Sequence, residues 1–586
     1  MLDLKIVGGR IIDGTGEPSF TGDVGISGGR IVSIGKVEGE ARETIDASDL
    51  VVAPGFVDVH THYDAQVFWD PALSPSCFHG VTSIVGGFCG FSIAPLTQES
   101  AAYIRPMLAR VEGMALSTLE QAVPWDWSSF GDFLDRLDGR IGLNAGFFCG
   151  HSAIRSIVMG DRAVGEEATR EELDQMKALL GKSLSEGAMG FSTTISPSHS
   201  DADGNPVPSR WASREELVEL ASVVADYEGT GLELLPDLEF GPGTAELMTD
   251  FSLAGGRPVN WNVLTLSGTS KSQLDRLEHQ LRASDFARSK GAEIVALAAP
   301  SSPNVFLTLH SGAIFDMMTG LWGGIFKLPL KIRISAFADP ETRVRLAKDA
   351  AAWAGSTRAS ARIGRLAEYT VVEVKTPENK HYEGKKIGDI AAAEGKEPID
   401  VLCDIAVADR LLTSFMGPMG GDDQESYEWR GKIWHDDRTV IGASDAGAHI
   451  DMIDTFAFST MVLEKGVREH KVIGLEEAVH QMTEIPARLM GLVDRGLLKT
   501  GWHADIVIFD PNTVARGDIY SRQDVPGGEF RLYADAKGID HVIVNGVPIV
   551  RRSVHTGAMP GTVLRSGRDT RTVGIPATHK DTELVT

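Results

Sequence analysis

Between residues 50 and 445, short apolar runs of strand length alternate with longer stretches of helical periodicity. This alternation is typical of parallel α/β architecture. Helices are predicted between most of the runs, for example at 170–186, 213–227 and 271–290. The runs predicted as strands are 51–60, 81–89, 141–151, 188–194, 231–236, 258–265, 292–300 and 439–445. Eight alternations of strand and helix predict a (β/α)8, TIM-like barrel.

The two ends of the chain share a different pattern, in which short strands are separated by tight turns. Near the N-terminus the Gly-Gly pairs and Asp13-Gly14 are typical of hairpins. The predicted strands are 4–7, 10–12, 23–26 and 30–34 at this end, and 504–510 and 541–550 at the other. The pattern predicts one small β-sandwich domain built from residues 1–55 and 495–565, with the barrel spanning residues 56–490.

A long connection precedes the eighth predicted strand, which begins about 135 residues after the seventh and should therefore carry structure of its own. Helices are predicted within it at 340–353, 387–394 and 398–409. We therefore expect an inserted subdomain at about 303–437. The polar residues 566–586 are predicted to form a loosely ordered C-terminal tail over the surface.

Composition narrows the classes of function. The chain has 586 residues and a net charge of -25, which argues against nucleic acid and anionic membranes as partners. No run reaches the ~18 apolar residues of a membrane-spanning helix, and the N-terminus does not resemble a signal peptide. The four cysteines are widely spaced, which is typical of a cytoplasmic protein with free thiols.

The first predicted barrel strand ends in His60-Thr61-His62. Side chains alternate along an extended strand, so the two imidazoles point to the same face. Such a pair at the end of a buried strand provides half of a metal site. The alternative is two unrelated histidines at a strand end.

Other polar residues occur at the ends of further predicted strands, where barrel enzymes place their chemistry. They are Cys89 after the second strand, His151 after the third and Asp445 after the eighth. Each has a structural alternative, namely a buried thiol, a hydrogen-bonded core histidine and a helix N-cap, respectively. Their joint placement at the mouth of one barrel favours a metal centre over coincidence.

Several motifs resemble the amidohydrolase superfamily of metal-dependent barrel hydrolases. They are Pro-Gly-Phe-Val-Asp-Val-His-Thr-His at 54–62 and Ser-Asp at 444–445. Further motifs resemble its N-acyl-D-amino-acid deacylase (D-aminoacylase-like) branch: Gly-Val-Thr at 80–82, Phe-Cys-Gly at 88–90, Gly-His-Ser-Ala-Ile-Arg at 150–155 and Glu-Gly-Ala-Met-Gly-Phe-Ser-Thr at 186–193. The resemblance covers nearly the whole chain, and is weakest in the insertion and the tail.

The resemblance implies hydrolysis of a non-peptide C–N bond, most simply the amide of an N-acyl-D-amino acid. It implies His60, His62, Cys89 and Asp445 as metal ligands, with Asp445 also the general base. Zinc would lower the pKa of a bound water toward roughly 7, and the carboxylate would carry its proton to the leaving nitrogen. His151 is expected to contact the substrate or the developing oxyanion. Further residues expected to bind a small-molecule amide are Tyr63, Arg155, Asn260, Asn262 and His449.

The chain departs from the branch in predicted strands five and six, which lack the histidines found there in relatives. The lysine that meets a substrate carboxylate is also missing. One zinc ion is therefore expected rather than two, with Asn260 or Asn262 bonding substrate where relatives have a ligand. Two alternatives stay open: hydrolysis of a cyclic amide, imide or carbamate, and a non-catalytic ligand-binding homologue. A homo-oligomer is expected by analogy alone.

Overall fold

The computed structural model describes residues 1–576, except 303, 311, 313–314, 316–317, 319, 357–358 and 419. In chain order its strands are β1 (Leu2–Ile11), β2 (Phe20–Ser27), β3 (Arg30–Gly35), β4 (Ala41–Asp46), β5 (Val51–Pro54), β6 (Phe56–Asp58), β7 (Val81–Gly86), β8 (Asn144–Phe147), β9 (Cys149–Gly150), β10 (Gly190–Thr194), β11 (Gly231–Leu235), β12 (Val259–Leu264), β13 (Ile294–Ala298), β14 (Phe306–Leu307), β15 (Thr370–Glu373), β16 (Ser414–Met416), β17 (Thr439–Ile441), β18 (Ile506–Phe509), β19 (Ala515–Val525), β20 (Glu529–Lys537), β21 (Ile539–Val544), β22 (Val547–Arg551) and β23 (Val554–His555).

The α-helices connect and cover these strands. They are α1 (Gln98–Val111), α2 (Leu116–Ala122), α3 (Phe130–Leu137), α4 (His151–Met159), α5 (Arg170–Ser185), α6 (Arg214–Val224), α7 (Thr244–Gly255), α8 (Lys271–Ser289), α9 (Leu321–Ile325), α10 (Leu330–Ala338), α11 (Pro340–Ala354), α12 (Ile387–Glu394), α13 (Pro398–Ala408), α14 (Gln424–Trp434), α15 (Phe458–Met461), α16 (Leu475–Met482) and α17 (Glu484–Leu489).

Parallel strands in the middle of the chain form two sheets, with the orders β6-β7-β8 and β9-β10-β11-β12-β13-β17. Only Phe148 separates β8 from β9, and a parallel bridge between Thr61 and Ala446 joins the segments that follow β6 and β17. Every residue of β7, β10 and β13 is buried, as expected where helices cover a parallel sheet. The predicted α/β fold is confirmed, as are the strands predicted at 81–89, 188–194, 231–236, 258–265, 292–300 and 439–445.

Two predicted strands are divided. The run 51–60 splits at Gly55, so that β5 joins the sheet formed by the chain ends and β6 starts the parallel sheet. A Cβ atom at Gly55 would lie 2.1 Å from Cγ2 of Thr82, so only glycine allows this close approach to β7. The run 141–151 splits at Phe148, and His151 is already the first residue of α4.

Strands from both chain ends lie in one nine-stranded sheet, in the order β23-β22-β21-β18-β5-β1-β2-β3, with β4 beside β1. The predicted turn at Gly28-Gly29 is confirmed, since Ser27 pairs with Arg30 across it. The predicted turn at Gly8-Gly9 is wrong, because β1 continues through both glycines with a shift of register there. Such a bulge accommodates the positive φ of Gly8, 71°, without ending the strand.

The C-terminal part of this sheet also differs from prediction. The run 541–550 is not one strand, because Asn545 and Gly546 form a tight turn between β21 and β22 with φ of 48° and 77°. Asn-Gly suits a turn that requires two positive φ angles. The hairpin β19–β20 was not predicted, since most residues of β19 are polar and exposed or half-buried. It forms a separate two-stranded sheet.

The segment between β13 and β17 carries structure of its own. Its three short strands form an antiparallel sheet in the order β14-β16-β15, and its hydrophobic core is separate from that of the parallel sheets. The helices predicted at 340–353, 387–394 and 398–409 are confirmed as α11, α12 and α13. Asp339 caps α11 by accepting a hydrogen bond from Thr342 N, and Pro340 follows it at the first helical position.

The first part of the predicted tail is held on the surface by hydrogen bonds. Thr570 Oγ1 donates to Gly229 O at 2.5 Å, and Arg571 N donates to Gly491 O at 2.8 Å. Residues 566–576 are therefore more ordered than predicted, and the rest of the tail, 577–586, lies outside the described residues. In the part of the chain that the structure describes, no helix combines the length and apolarity needed to span a membrane.

Candidate metal centre

His60 and His62 follow β6 at its carboxyl end. Between them, Thr61 N donates to Val85 O at 3.0 Å, and His62 N donates to Ala446 O at 2.8 Å. The backbone is therefore held between the ends of β7 and β17. The two imidazoles lie together, with their ring centroids 5.2 Å apart, as the sequence pattern predicted.

Four side chains meet at this point: His60, His62, Cys89 and Asp445, here called the donor cluster. The ligand atoms of the two histidines and Cys89 all lie within 4.8 Å of one another. His60 Nε2 is 3.6 Å from Cys89 Sγ and 3.2 Å from Asp445 Oδ1, which is 3.7 Å from His62 Nε2. Two imidazoles, a thiol and a carboxylate are the ligand types that zinc takes in proteins, so the donor set fits that ion.

Cys89 and Asp445 both adopt left-handed backbone conformations, with φ of 56° and 49°. A non-glycine residue in this region is strained, so its surroundings must hold it there. Glu233 Oε2 accepts a hydrogen bond from Cys89 N at 3.0 Å. Ser444 Oγ donates to Asp58 Oδ2 at 2.6 Å and accepts from Ala446 N, which fixes the turn around Asp445.

Charge and burial shift the pKa values of the donor cluster. Burial by itself would raise the pKa of Asp445, but hydrogen bonds and charge from His60 and His62 hold it well below its usual range. Burial would lower the pKa of His62, yet nearby carboxylates, foremost Glu112, raise it to about 9. Burial lowers the pKa of His60 and raises that of the Cys89 thiol. The raised pKa of His62 thus reflects the carboxylates around it, which would also stabilise a bound cation.

Three buried carboxylates around the donor cluster were missed by sequence reasoning. Glu112 Oε1 lies 3.2 Å from His62 Nδ1, and burial raises its pKa to about 7. Asp64 has its pKa raised to about 6, and Glu233 well above its usual range, again by burial. Glu233 could have been found from the sequence, because it is a charged residue within the apolar run of β11. Glu112 ends a helix far along the chain, and nothing in its local pattern marks it.

His151 and Arg155 are not placed in the donor cluster, and bond instead to a common buried partner, Glu216. His151 Nε2 lies 2.8 Å from Glu216 Oε1 and its Nδ1 lies 2.9 Å from Thr193 Oγ1, so both ring nitrogens are engaged. Arg155 NH1 donates to both carboxylate oxygens of Glu216 at 2.5 and 2.6 Å. These bonds engage both ring nitrogens of His151 and the NH1 group of Arg155, which favours a structural role over the predicted contact with substrate.

Tyr63 and His449 flank the donor cluster. Tyr63 is fully buried, and its hydroxyl bonds to Ser76 Oγ at 2.7 Å. His449 follows the donor cluster on the loop after β17, where its backbone N donates to Glu112 O at 2.5 Å. Its side chain is half-buried and close enough to Asp445 and His62 to feel their charges, and burial lowers its pKa. A further histidine near these groups, His199, was not predicted; burial, together with the charges of His449 and His62, lowers its pKa to about 3.

The two predicted asparagines lie at different depths in β12. Asn262 lies two residues before the carboxyl end, and its Nδ2 is 3.7 Å from Cys89 Sγ. Asn260 lies two residues deeper, and its Nδ2 donates to Leu232 O at 2.9 Å. Because each residue advances about 3.3 Å along a strand, Asn262 is the better placed of the two to meet a substrate.

This chain is similar over nearly its whole length to several deacylases. The D-aminoacylase of Alcaligenes xylosoxydans xylosoxydans is 28% identical over 569 residues, covering 96% of this chain and 97% of that protein. The N-acyl-D-glutamate deacylase of the same organism is 28% identical over 604 residues, covering 98% of each. A solved N-acyl-D-glutamate deacylase from Bordetella bronchiseptica, complexed with zinc and a phosphonate mimic of the tetrahedral intermediate, superposes with a TM-score of 0.64 at 26% identity, covering 96% of this chain and 100% of that one.

Most of the chain matches the model of one protein family. The model of the Amidohydrolase family matches residues 43–550, which include the parallel sheets and all four residues of the donor cluster. The resemblance predicted from the sequence motifs is thereby confirmed. This chain belongs to the Amidohydrolase family.

Proposed function

We propose that this chain hydrolyses the amide bond of a small N-acyl compound, most simply an N-acyl-D-amino acid, with the help of one zinc ion. The observation that carries the proposal is the donor cluster, in which two imidazoles and a thiol lie within 4.8 Å of one another beside the Asp445 carboxylate. Deacylases among the relatives support the choice of bond.

The fold proposed to carry this chemistry is a closed (β/α)8 barrel. The bridge between Thr61 and Ala446 and the continuity of β8 with β9 support closure of the two parallel sheets into one ring. Barrel enzymes build their sites at the carboxyl ends of the strands, where the donor cluster lies. The sheet formed by the chain ends, 1–55 and 495–565, is proposed as the small β-domain beside it.

His60, His62 and Cys89 are proposed to hold the zinc ion, with Asp445 completing the site. When bound, zinc would acidify a water molecule and polarise the scissile carbonyl. The zinc complex of the Bordetella relative supports this choice of ion. Strands β11 and β12 contain no histidine, although the resemblance implies one on each, and this favours one ion over two.

Asp445 is proposed as the general base. Its side chain is 23% exposed, so a water molecule and a substrate can reach it, whereas His60 is fully buried. Its depressed pKa keeps the carboxylate ionised. The carboxylate accepts a proton from the attacking water and delivers it to the amide nitrogen as the C–N bond breaks, which yields a carboxylic acid and an amine. Asn262, beside Cys89, is placed to bond the substrate.

Metal analysis and one substitution test the proposal. Purified protein is expected to hold about one zinc per chain, and Asp445→Asn to lower kcat by about 10²- to 10⁴-fold on the best N-acyl-amino acid. The exposed Asp226→Asn serves as the matched control and should keep full activity.

Three results would count against it. Zinc below about 0.3 per chain, with no rescue by added metal, would exclude the metal centre. Full activity of Asp445→Asn would exclude that residue as the base. Zinc-loaded protein that hydrolyses cyclic imides but no N-acyl compound would move the chain to the other reaction class.

A further inference from the structure

Cys89 lies in the loop that follows β7, residues 87–92, here called the thiol loop. Its backbone is left-handed at Gly87, Cys89 and Gly90, with φ of 77°, 56° and 75°. Glycine adopts this conformation freely, but Cys89 does so only under strain. The surroundings of the loop must therefore hold Cys89 in the conformation that brings its Sγ to 3.6 Å from His60 Nε2.

Two side chains hold the glycines of the thiol loop. Ser192 of β10 bridges them, because its Oγ accepts from Gly90 N at 3.1 Å and donates to Gly87 O at 2.5 Å. Asp64 Oδ2 accepts from Gly87 N at 3.0 Å. These hydrogen bonds fix the backbone before and after Cys89, and none of them involves the backbone N of Cys89 itself.

The sequence motif at 150–155 packs against the same loop through its backbone. Ser152 N donates to Gly90 O at 3.1 Å, and Gly150 N donates to Ser92 Oγ at 2.9 Å. A Cβ atom at Gly150 would lie 2.6 Å from Gly90 O, so only glycine allows this approach. The motif thus supports the thiol loop, which gives it a role that does not require contact with substrate.

The backbone N of Cys89 is bonded by a carboxylate from the other side of the parallel strands. It donates to Glu233 Oε2 at 3.0 Å. Glu233 is fully buried in β11, where its neighbours along the strand are leucines. Its other oxygen, Oε1, is buried and has no hydrogen-bond partner among the described residues. Burying a carboxylate in this way costs free energy, so the hydrogen bond to Cys89 points to a specific role for Glu233.

We propose that Glu233 is a positioning residue for the Cys89 thiol: by accepting from Cys89 N, it holds the left-handed conformation that directs Sγ to the donor cluster. The inference rests on the proposed zinc site, in which Cys89 is a ligand. The resemblance implies a histidine on β11, and this strand instead supplies a carboxylate to the backbone of the thiol ligand. Placement of the thiol then depends on this hydrogen bond rather than on a neighbouring ligand.

Cobalt(II) in place of zinc tests this directly, because a thiolate bound to cobalt gives a charge-transfer band in the near ultraviolet. Wild-type protein is expected to show this band. Glu233→Leu should lose most of it and bind zinc about 10- to 100-fold more weakly. Glu233→Gln, whose amide oxygen can still accept from Cys89 N, should keep the band. The proposal is overturned if Glu233→Leu keeps the band or if Glu233→Gln loses it.

The matched control is Asn260→Leu. Asn260 is the residue of β12 that pairs with Glu233 in the parallel sheet, and it is also buried. Its Nδ2 donates to Leu232 O at 2.9 Å rather than to the thiol loop, so this variant removes a buried polar group from the same level of the sheet. Asn260→Leu should keep the cobalt band. Equal loss of the band in Asn260→Leu and Glu233→Leu would reveal a general effect on packing and overturn the proposal.

Hydrogen exchange in the metal-free protein separates this proposal from the proposed zinc site. Followed by mass spectrometry, peptides that cover 87–92 should exchange about tenfold faster in Glu233→Leu than in wild type or Asn260→Leu, because Cys89 N loses its acceptor. If wild-type protein binds neither zinc nor cobalt and Glu233→Leu still speeds this exchange, Glu233 positions Cys89 and the zinc site fails. If Glu233→Leu exchanges here as slowly as wild type, the positioning role is overturned whether or not metal binds.

Discussion

At the scale of single residues, the geometry of the donor cluster depends on buried neighbours that lie outside the cluster. Glu112 places a carboxylate oxygen 3.2 Å from His62 Nδ1, on the side of the ring away from Asp445. Both side chains are almost fully buried. A carboxylate behind a ligating histidine fixes the tautomer and the orientation of the ring. Glu112 is therefore expected to set the position of His62 Nε2.

Replacing Glu112 with Gln should lower zinc affinity about 10- to 100-fold, because the amide keeps the shape and loses the charge that orients His62. Competition with a chromophoric chelator measures the affinity without recourse to activity. Glu120→Gln, an exposed glutamate on α2, is the control and should leave the affinity unchanged. If Glu112→Gln binds zinc as tightly as wild type, Glu112 has no orienting role.

At the scale of elements, the hairpin β19–β20 reaches from the terminal part of the chain to the loop after β6. Arg531 of β20 is buried and donates to Ser74 O at 2.8 Å and to Asp70 Oδ2 at 3.0 Å. It also pairs with Asp524 of β19 at 2.7 Å. One guanidinium therefore joins both strands of the hairpin to the loop that follows His60 and His62.

Arg531→Met is expected to lower the free energy of unfolding by about 3 kcal/mol, because Asp70 and Ser74 lose a buried partner. Thermal or urea unfolding measures the change. The control is Arg522→Met, since Arg522 is 45% exposed and pairs with the same Asp524 at 3.0 Å. Arg522→Met should lower the free energy of unfolding by less than about 1 kcal/mol. If both variants lose the same free energy of unfolding, Arg531 does not stabilise the protein by joining the hairpin to the loop.

At the scale of the whole molecule, a buried polar network connects the terminal sheet to the parallel strands. Asp505 pairs with Arg495 and accepts from Asn144 Nδ2 of β8 at 3.1 Å. Its other oxygen accepts from Asn545 N in the β21–β22 turn at 2.8 Å. Residues far apart along the chain thus satisfy one another between the two sheets, which should make them unfold together.

Asp505→Ala should therefore lower the unfolding midpoint of both sheets, with a loss of about 3–5 kcal/mol, because it leaves the buried Arg495 charge without its partner. Hydrogen exchange followed by mass spectrometry reports each sheet separately. Asp518→Ala, an exposed position on β19, is the control and should have little effect. Faster exchange confined to the terminal sheet would show that the network does not couple the two.

Local features were predictable because they depend on a few neighbouring residues. Helix α12 begins and ends where its periodicity predicts, at Ile387–Glu394. The period of an extended strand predicted that His60 and His62 lie together, and their ring centroids are 5.2 Å apart. Glycine patterns were less reliable: Gly28-Gly29 makes a turn, whereas Gly8-Gly9 makes a bulge within a strand, because pairing partners elsewhere decide between the two.

The sequence by itself determined the α/β fold, the family and the residue types of the donor cluster, since strand periodicity and motif spacing are local properties. Only the tertiary structure decided which distant groups surround them. It placed Glu112 behind His62, paired His151 and Arg155 with Glu216, and brought Glu233 to the backbone of Cys89. Burial, pairing and charge at these positions arise from the packing of segments far apart along the chain, and local sequence patterns do not encode those distances.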